Sequence, residues 1–119
     1  MFSPYQFTGS HLPCKTLCLT FDDGPGETSN NGPGPKTLRL AEYLHKENIA
    51  ATFFCVGQHI NLYPSILTEL DNLGHFIGHH TYRHPSLTAL FDADQHSVIL
   101  EEMTATSERL TVTGILTFQ

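Results

Sequence analysis

Thr20-Phe21-Asp22-Asp23-Gly24-Pro25 closes a short apolar run with two adjacent carboxylates and then a turn. Upstream, Leu17-Cys18-Leu19-Thr20-Phe21 has the length and unbroken apolarity of a strand covered on both faces, as strands of parallel sheets are. Downstream, every residue from Gly24 to Pro35 except Glu27 is a turn or breaker type. A strand-to-helix connection of that length is usually functional or mobile.

Working outward, Pro35 suits the first turn of a helix, and residues 36–48 carry Leu38, Ala41 and Leu44 on one face beside Leu40 and Tyr43. Residues 50–56 form a second apolar, β-prone run that Gly57 stops, and residues 58–63 fit a short helical turn. Pro64 opens a further helix with Ile66, Leu67, Leu70 and Leu73 inward and Gly74 as its stop. His75-Phe76-Ile77-Gly78 reads as a third strand, and residues 79–85 as the loop after it. Asp92 or Asp94 caps a longer helix running to about Thr113, with Ile99, Met103, Thr106 and Leu110 facing in. Gly114 ends that helix, and Ile115-Leu116-Thr117-Phe118 begins a fourth strand.

The alternation predicts an α/β fold, with parallel strands joined by right-handed helical crossovers. In such sheets, sites form at the carboxyl ends of the strands. Asp22 and Asp23 follow the first strand, and His80 and His84 follow the third, so both clusters are expected on one rim.

At 119 residues the chain is one domain at most, with an irregular lead-in over residues 1–16. The net charge of −6 and only six scattered Lys and Arg argue against a nucleic-acid partner. No apolar run approaches the roughly 20 residues of a membrane span, so no membrane partner is expected. Cys14, Cys18 and Cys55 are an odd set without paired spacings and read as free thiols, Cys18 and Cys55 inside apolar runs. Residues 1–13 lack the basic start and apolar stretch of a signal peptide. As written, the chain fits a reducing, cytoplasmic compartment.

Taken alone, each cluster has an ordinary reading. Asp22-Asp23-Gly24-Pro25 is also a solvated turn. His80 and His84 are also two unrelated histidines in a stretch that includes His75 and His79. Together they offer what a hydrolytic metal site needs: two imidazoles and one carboxylate as ligands, and a second carboxylate as base. Histidine–carboxylate sets suit zinc and related divalent metals, with an open position for water. The metal makes that water nucleophilic, and a nearby carboxylate takes its proton.

Thr20-Phe21-Asp22-Asp23-Gly24-Pro25 and Gly78-His79-His80-Thr81-Tyr82-Arg83-His84-Pro85-Ser86-Leu87 resemble the first two motifs of the polysaccharide deacetylases, the NodB-homology carbohydrate esterases. Ala51-Thr52-Phe53-Phe54-Cys55-Val56-Gly57 between them is similar to that family as well. The resemblance implies a distorted β/α barrel, with residues 17–119 as its N-terminal portion. It implies Asp22 as catalytic base, and Asp23, His80 and His84 as ligands of a divalent metal, usually zinc. Thr81 would brace the histidine loop, while His79 stands where the family more often has Asn. The implied substrates are acetylated polymers such as chitin, peptidoglycan or xylan.

The family's Arg-Pro-Pro-Tyr-like motif, its Asp/Trp segment and its Leu-x-His are not found in the chain. The resemblance therefore implies a partial, truncated barrel, whose missing C-terminal half would be a partner. Two other readings remain open: a non-catalytic, carbohydrate-binding remnant, and a related amidase acting on small cyclic amides. Family members that act on cell walls work outside the cell, which leaves the location open.

Overall fold

The computed structural model describes residues 10, 12–26 and 33–112. Three parallel strands lie in the order β1 (Thr20–Gly24), β2 (Thr52–Cys55), β3 (Phe76–His79). Helix α1 (Pro33–Lys46) connects β1 to β2, and α2 (Gly57–Leu62) and α3 (Pro64–Asn72) connect β2 to β3. Helices α4 (Leu87–Asp92) and α5 (His96–Val112) follow β3. The α/β class with parallel strands is the one read from the alternation. The expected fourth strand at 115–118, half of the Gly/Pro loop and most of the lead-in lie outside the described residues.

The central strand explains the core. Phe53 and Cys55 point inward from β2, with Ala41 and Leu44 of α1 and Ile66, Leu67 and Leu70 of α3 packed around them. On α3 these residues fall at helical spacing, as expected. Pro64 occupies the start of that helix, and Gly74, at φ 84°, takes the left-handed conformation that ends it. His75 ties the layers together. Its Nδ1 accepts from the Ala51 N–H at 3.1 Å, so its Nε2 carries the proton and donates to the Ala41 carbonyl at 2.9 Å.

Several boundaries differ from expectation, each for a packing reason. The first strand runs through the carboxylates rather than ending before them, because its ladder to β2 continues to Gly24. Leu17 and Cys18 precede it and are exposed, so the upstream apolar run is not a strand covered on both faces. His79 belongs to β3 rather than to the loop, since it pairs with Cys55. Tyr43 is exposed on α1.

The longer helix expected after Asp92 or Asp94 is α5, and a short helix that the sequence reading did not include, α4, precedes it. Ser86 caps α4 by accepting from the Ala89 N–H, and Asp94, at φ 55°, breaks the chain before α5. The buried face of α5 is Glu102, Thr106 and Leu110; Met103 faces solvent. Among the described residues, no helix is long and apolar enough to cross a membrane.

Gly57 sits where α2 meets α5 and the loop after β3. A Cβ there would lie 2.5 Å from the Tyr82 ring and 2.6 Å from Thr106 Oγ1. Gly57→Ala should destabilise the fold by ~1–3 kcal/mol through overpacking, measured by denaturant unfolding. An unchanged midpoint would contradict this packing. Burial pushes the Cys55 thiol up to about 12, whereas Cys14 and Cys18 are exposed. Alkylation at pH 8 should therefore modify Cys14 and Cys18 in the native chain and reach Cys55 only after denaturation. Labelling of native Cys55 at the rate of the other two would count against the core described here.

Candidate metal centre

The site begins with a register shift. Asp22 pairs with Phe54 but Gly24 pairs with Cys55, so Asp23 is the extra residue of a bulge, at φ 70°. A bulge re-aims a side chain that regular pleating would send elsewhere. Asp23 Oδ1 lies 3.3 Å from His80 Nε2 and 3.3 Å from His84 Nε2. An aspartate tolerates the left-handed region better than most residues, but the conformation still needs support. His59 of α2 supplies it: its Nδ1 donates to the Asp23 carbonyl at 2.9 Å. A carbonyl only accepts, so Nδ1 carries the proton. His59 Nε2 is buried and finds no partner among the described residues.

The loop after β3 brings in the two imidazoles. His80 N–H donates to the Cys55 carbonyl at 2.9 Å, which carries the β2–β3 pairing one step beyond the strand. The first N–H groups of α2, those of Gly57 and Gln58, donate to the carbonyls of Thr81 and Tyr82, each at 2.9 Å. Thr81 and His84 both have positive φ, 63° and 58°. For a β-branched threonine that is a genuine outlier and must be held by its surroundings. Thr81 Oγ1 donates to the His80 carbonyl at 2.6 Å and accepts from the His84 N–H at 3.1 Å. The expected bracing role of Thr81 is thus visible as two bonds spanning the loop. His79 Nδ1 accepts from the Thr81 N–H at 3.1 Å, and burial together with neighbouring His80 lowers its pKa. That leaves His79 serving the loop rather than the ligand set.

Asp23, His80 and His84 each present one donor atom, all within 4.8 Å of one another. Tetrahedral zinc with bonds of ~2.0–2.1 Å has neighbouring ligand atoms ~3.3 Å apart. Both oxygen–nitrogen separations match that edge. Three ligands of types O, N and N fit a divalent metal with a position left open. Asp22 and Asp23 both line a cleft of about 550 Å³, together with Gln58, His59, Arg83 and His84. The structure thus brings all four expected site residues to one rim: Asp23, His80 and His84 as a triad, and Asp22 on the wall beside it.

Two residues at the site escaped the sequence reading. His59 lies in a short helical turn whose pattern singles out no histidine. Glu102 was passed over because the expected apolar stripe ran through Met103. It is 2 % exposed. Its Oε2 accepts from the N–H groups of Tyr82 (3.0 Å) and Arg83 (2.6 Å), and its Oε1 accepts from Arg83 Nε at 2.7 Å. An Arg one residue before the second histidine, with a Glu on the longer helix α5 further on, was the available signal.

Residues 9–114 match the polysaccharide deacetylase family, and the chain belongs to it. Among its relatives, it is 33 % identical over 97 residues to the peptidoglycan-N-acetylglucosamine deacetylase of Bacillus cereus, covering 82 % of this chain and 32 % of that protein. It is 33 % identical over 86 residues to the chitooligosaccharide deacetylase of Rhizobium leguminosarum bv. trifolii, covering 72 % and 36 %. The solved structure of T48 deacetylase with substrate superposes with a TM-score of 0.67 at 35 % identity, over 81 % of this chain and 42 % of that one. The chain thus spans about a third of the length of these curated relatives.

Burial by itself raises the Glu102 carboxyl, but hydrogen bonds from the Arg83 side chain and backbone, the Arg83 charge and the Tyr82 N–H together bring it below its ordinary 4.5. A depressed folded value means a stabilisation that is present above pH 4.5 and lost as pH falls through the folded value. Melting temperature against pH should therefore fall more steeply below pH ~4.5 in the wild type than in Glu102→Gln. Parallel curves would contradict the assigned shift.

Proposed function

We propose that this chain carries the metal ligands and the base of a metal-dependent polysaccharide deacetylase, which hydrolyses acetamido groups on N-acetylglucosamine polymers such as peptidoglycan or chitin. One observation carries the reading: a single carboxylate oxygen of Asp23 stands 3.3 Å from two imidazole nitrogens, at the mouth of a cleft whose wall holds a second carboxylate. Family membership and the relatives' named activities support the substrate class. Asp23, His80 and His84 would hold the ion, for which the ligand types and their spacing favour zinc. When bound, the metal polarises a carbonyl oxygen and makes a water nucleophilic near neutral pH.

The chain's own residues divide the remaining work. Asp22 takes the proton of the attacking water. Being adjacent to Asp23 in the chain, it diverges from it, and so one carboxylate binds while the other stays free for proton transfer. Arg83 and Gln58 line the cleft and offer hydrogen-bond donors to sugar hydroxyls. We assign protonation of the leaving amine to the portion of its relatives' length that this chain does not span, rather than to His59, whose unpartnered Nε2 is buried.

Zinc titration by calorimetry tests the ligand set. The chain should bind one equivalent, and Asp23→Ala or His80→Ala should weaken binding by at least ~100-fold. Affinity that is absent in the wild type, or unchanged in the variants, would refute the site. Acetate release from chitin oligomers tests the division of labour. The chain alone should release a negligible amount, and Asp22→Asn should leave zinc affinity intact. Robust turnover that disappears in Asp22→Asn would show that the chain holds its own proton donor.

A further inference from the structure

Glu102 is a full charge in a place where charge is costly. It stands almost wholly buried on α5, one turn before Thr106 and two before Leu110 on the core-facing stripe. Burying a carboxylate costs several kcal/mol unless donors converge on it. Here three donors do, and all three belong to residues 82 and 83, the two positions between Thr81 and His84. Their carbonyl side is held separately: the α2 N–H groups bind the carbonyls of Thr81 and Tyr82. The loop is therefore gripped from both sides, with helix N–H groups on its acceptors and Glu102 on its donors. Its backbone has left-handed residues at Thr81 and His84, conformations that relax if the grip is lost. Thr106 Oγ1 bonds the Glu102 carbonyl at 3.1 Å and abuts Gly57, so α5 is itself fixed against α2 at this point.

We propose that Glu102 is a positioning residue for the metal ligands: its carboxylate fixes the 82–83 backbone so that His80 and His84 both face Asp23. The inference rests on the metal-binding reading above, and it acts through the loop rather than on the ion. Glutamine has the right volume but not the right chemistry, because its one carbonyl oxygen cannot replace two acceptor oxygens and its amide N–H₂ would face donors. Aspartate keeps the charge and falls one methylene short.

The test compares the 119-residue chain with Glu102→Gln, Glu102→Asp and Asp23→Ala, using Co²⁺ as the spectroscopic probe and amide exchange in the metal-free chain. Groups that hold ligands in place typically contribute ~10–100-fold in metal affinity. Glu102→Gln should therefore bind Co²⁺ about 10-fold or more weakly, with altered ligand-field bands, and Glu102→Asp should fall between it and the wild type. In the metal-free state, the Tyr82 and Arg83 amides should lose protection and the His80 and His84 ring resonances should shift. Wild-type affinity and an unchanged spectrum in Glu102→Gln would overturn the proposal. Should Glu102→Gln fail to fold, Glu102→Asp decides: wild-type affinity there would overturn it equally. A wild type that binds no Co²⁺ would defeat the metal reading. The positioning role would then stand on the amide and ring signals alone, and would fall if Glu102→Gln leaves them unchanged.

Discussion

Cys55 is paired on both flanks, with Gly24 of β1 and with His79 of β3. The site depends on this double register. Asp23 precedes one partner by a residue and His80 follows the other by a residue, so the two arrive at the same end of the same strand. The ladder even continues past Cys55: the Val56 N–H donates to the Gly24 carbonyl, and the Cys55 carbonyl accepts from the His80 N–H. A slip of one residue would move Asp23 or His80 by ~3.3 Å along the strand and turn its side chain to the other face. Burial of Phe53 and Cys55 on one face of β2 makes such a slip costly, so the hydrophobic core sets the geometry of the polar site.

Register alone would not orient the ligands. Asp23, Thr81 and His84 all have left-handed backbone, held by polar contacts from other elements and within the loop itself. His59 of α2 holds the Asp23 carbonyl, Thr81 braces His80 and His84, and Glu102 of α5 takes the loop's free N–H groups. Strain of ~1–3 kcal/mol per residue is stored where ligands converge, and it is offset by buried hydrogen bonds. The helices around the sheet therefore do more than cover it. α2 contributes two N–H groups and an imidazole to the site, and α5 contributes a carboxylate.

Much of this was legible in the chain itself. The apolar runs around Phe53 and Ile77, the Pro64 and Gly74 boundaries, and the placement of both motifs at strand ends follow from local rules that hold whatever the tertiary context. Asp22, Asp23, His80 and His84 were legible because a carboxylate pair and a spaced histidine pair complement each other chemically. The extent of β1 was not, since the polar Asp22 and Asp23 look like a strand's end while backbone pairing ignores side-chain polarity. Helix α4 was also hidden, because its six residues are too few to carry a readable apolar periodicity. Glu102 escaped for a deeper reason. Periodicity assigns the inner face of a helix by apolarity, and a buried carboxylate becomes favourable only when tertiary structure delivers three donors to it.

Among the described residues, the carboxylate–imidazole geometry at the end of the sheet gives the chain its chemical meaning, and the central claim is that Asp23, His80 and His84 together bind a divalent metal. X-ray absorption fine structure of the zinc-loaded chain tests it most directly, because the exposed thiols of Cys14 and Cys18 would reveal themselves as competing ligands. The account predicts a light-atom shell at ~2.0–2.1 Å with the outer scattering of two imidazoles and no sulfur. A sulfur shell at ~2.3 Å, or no imidazole scattering, would contradict it.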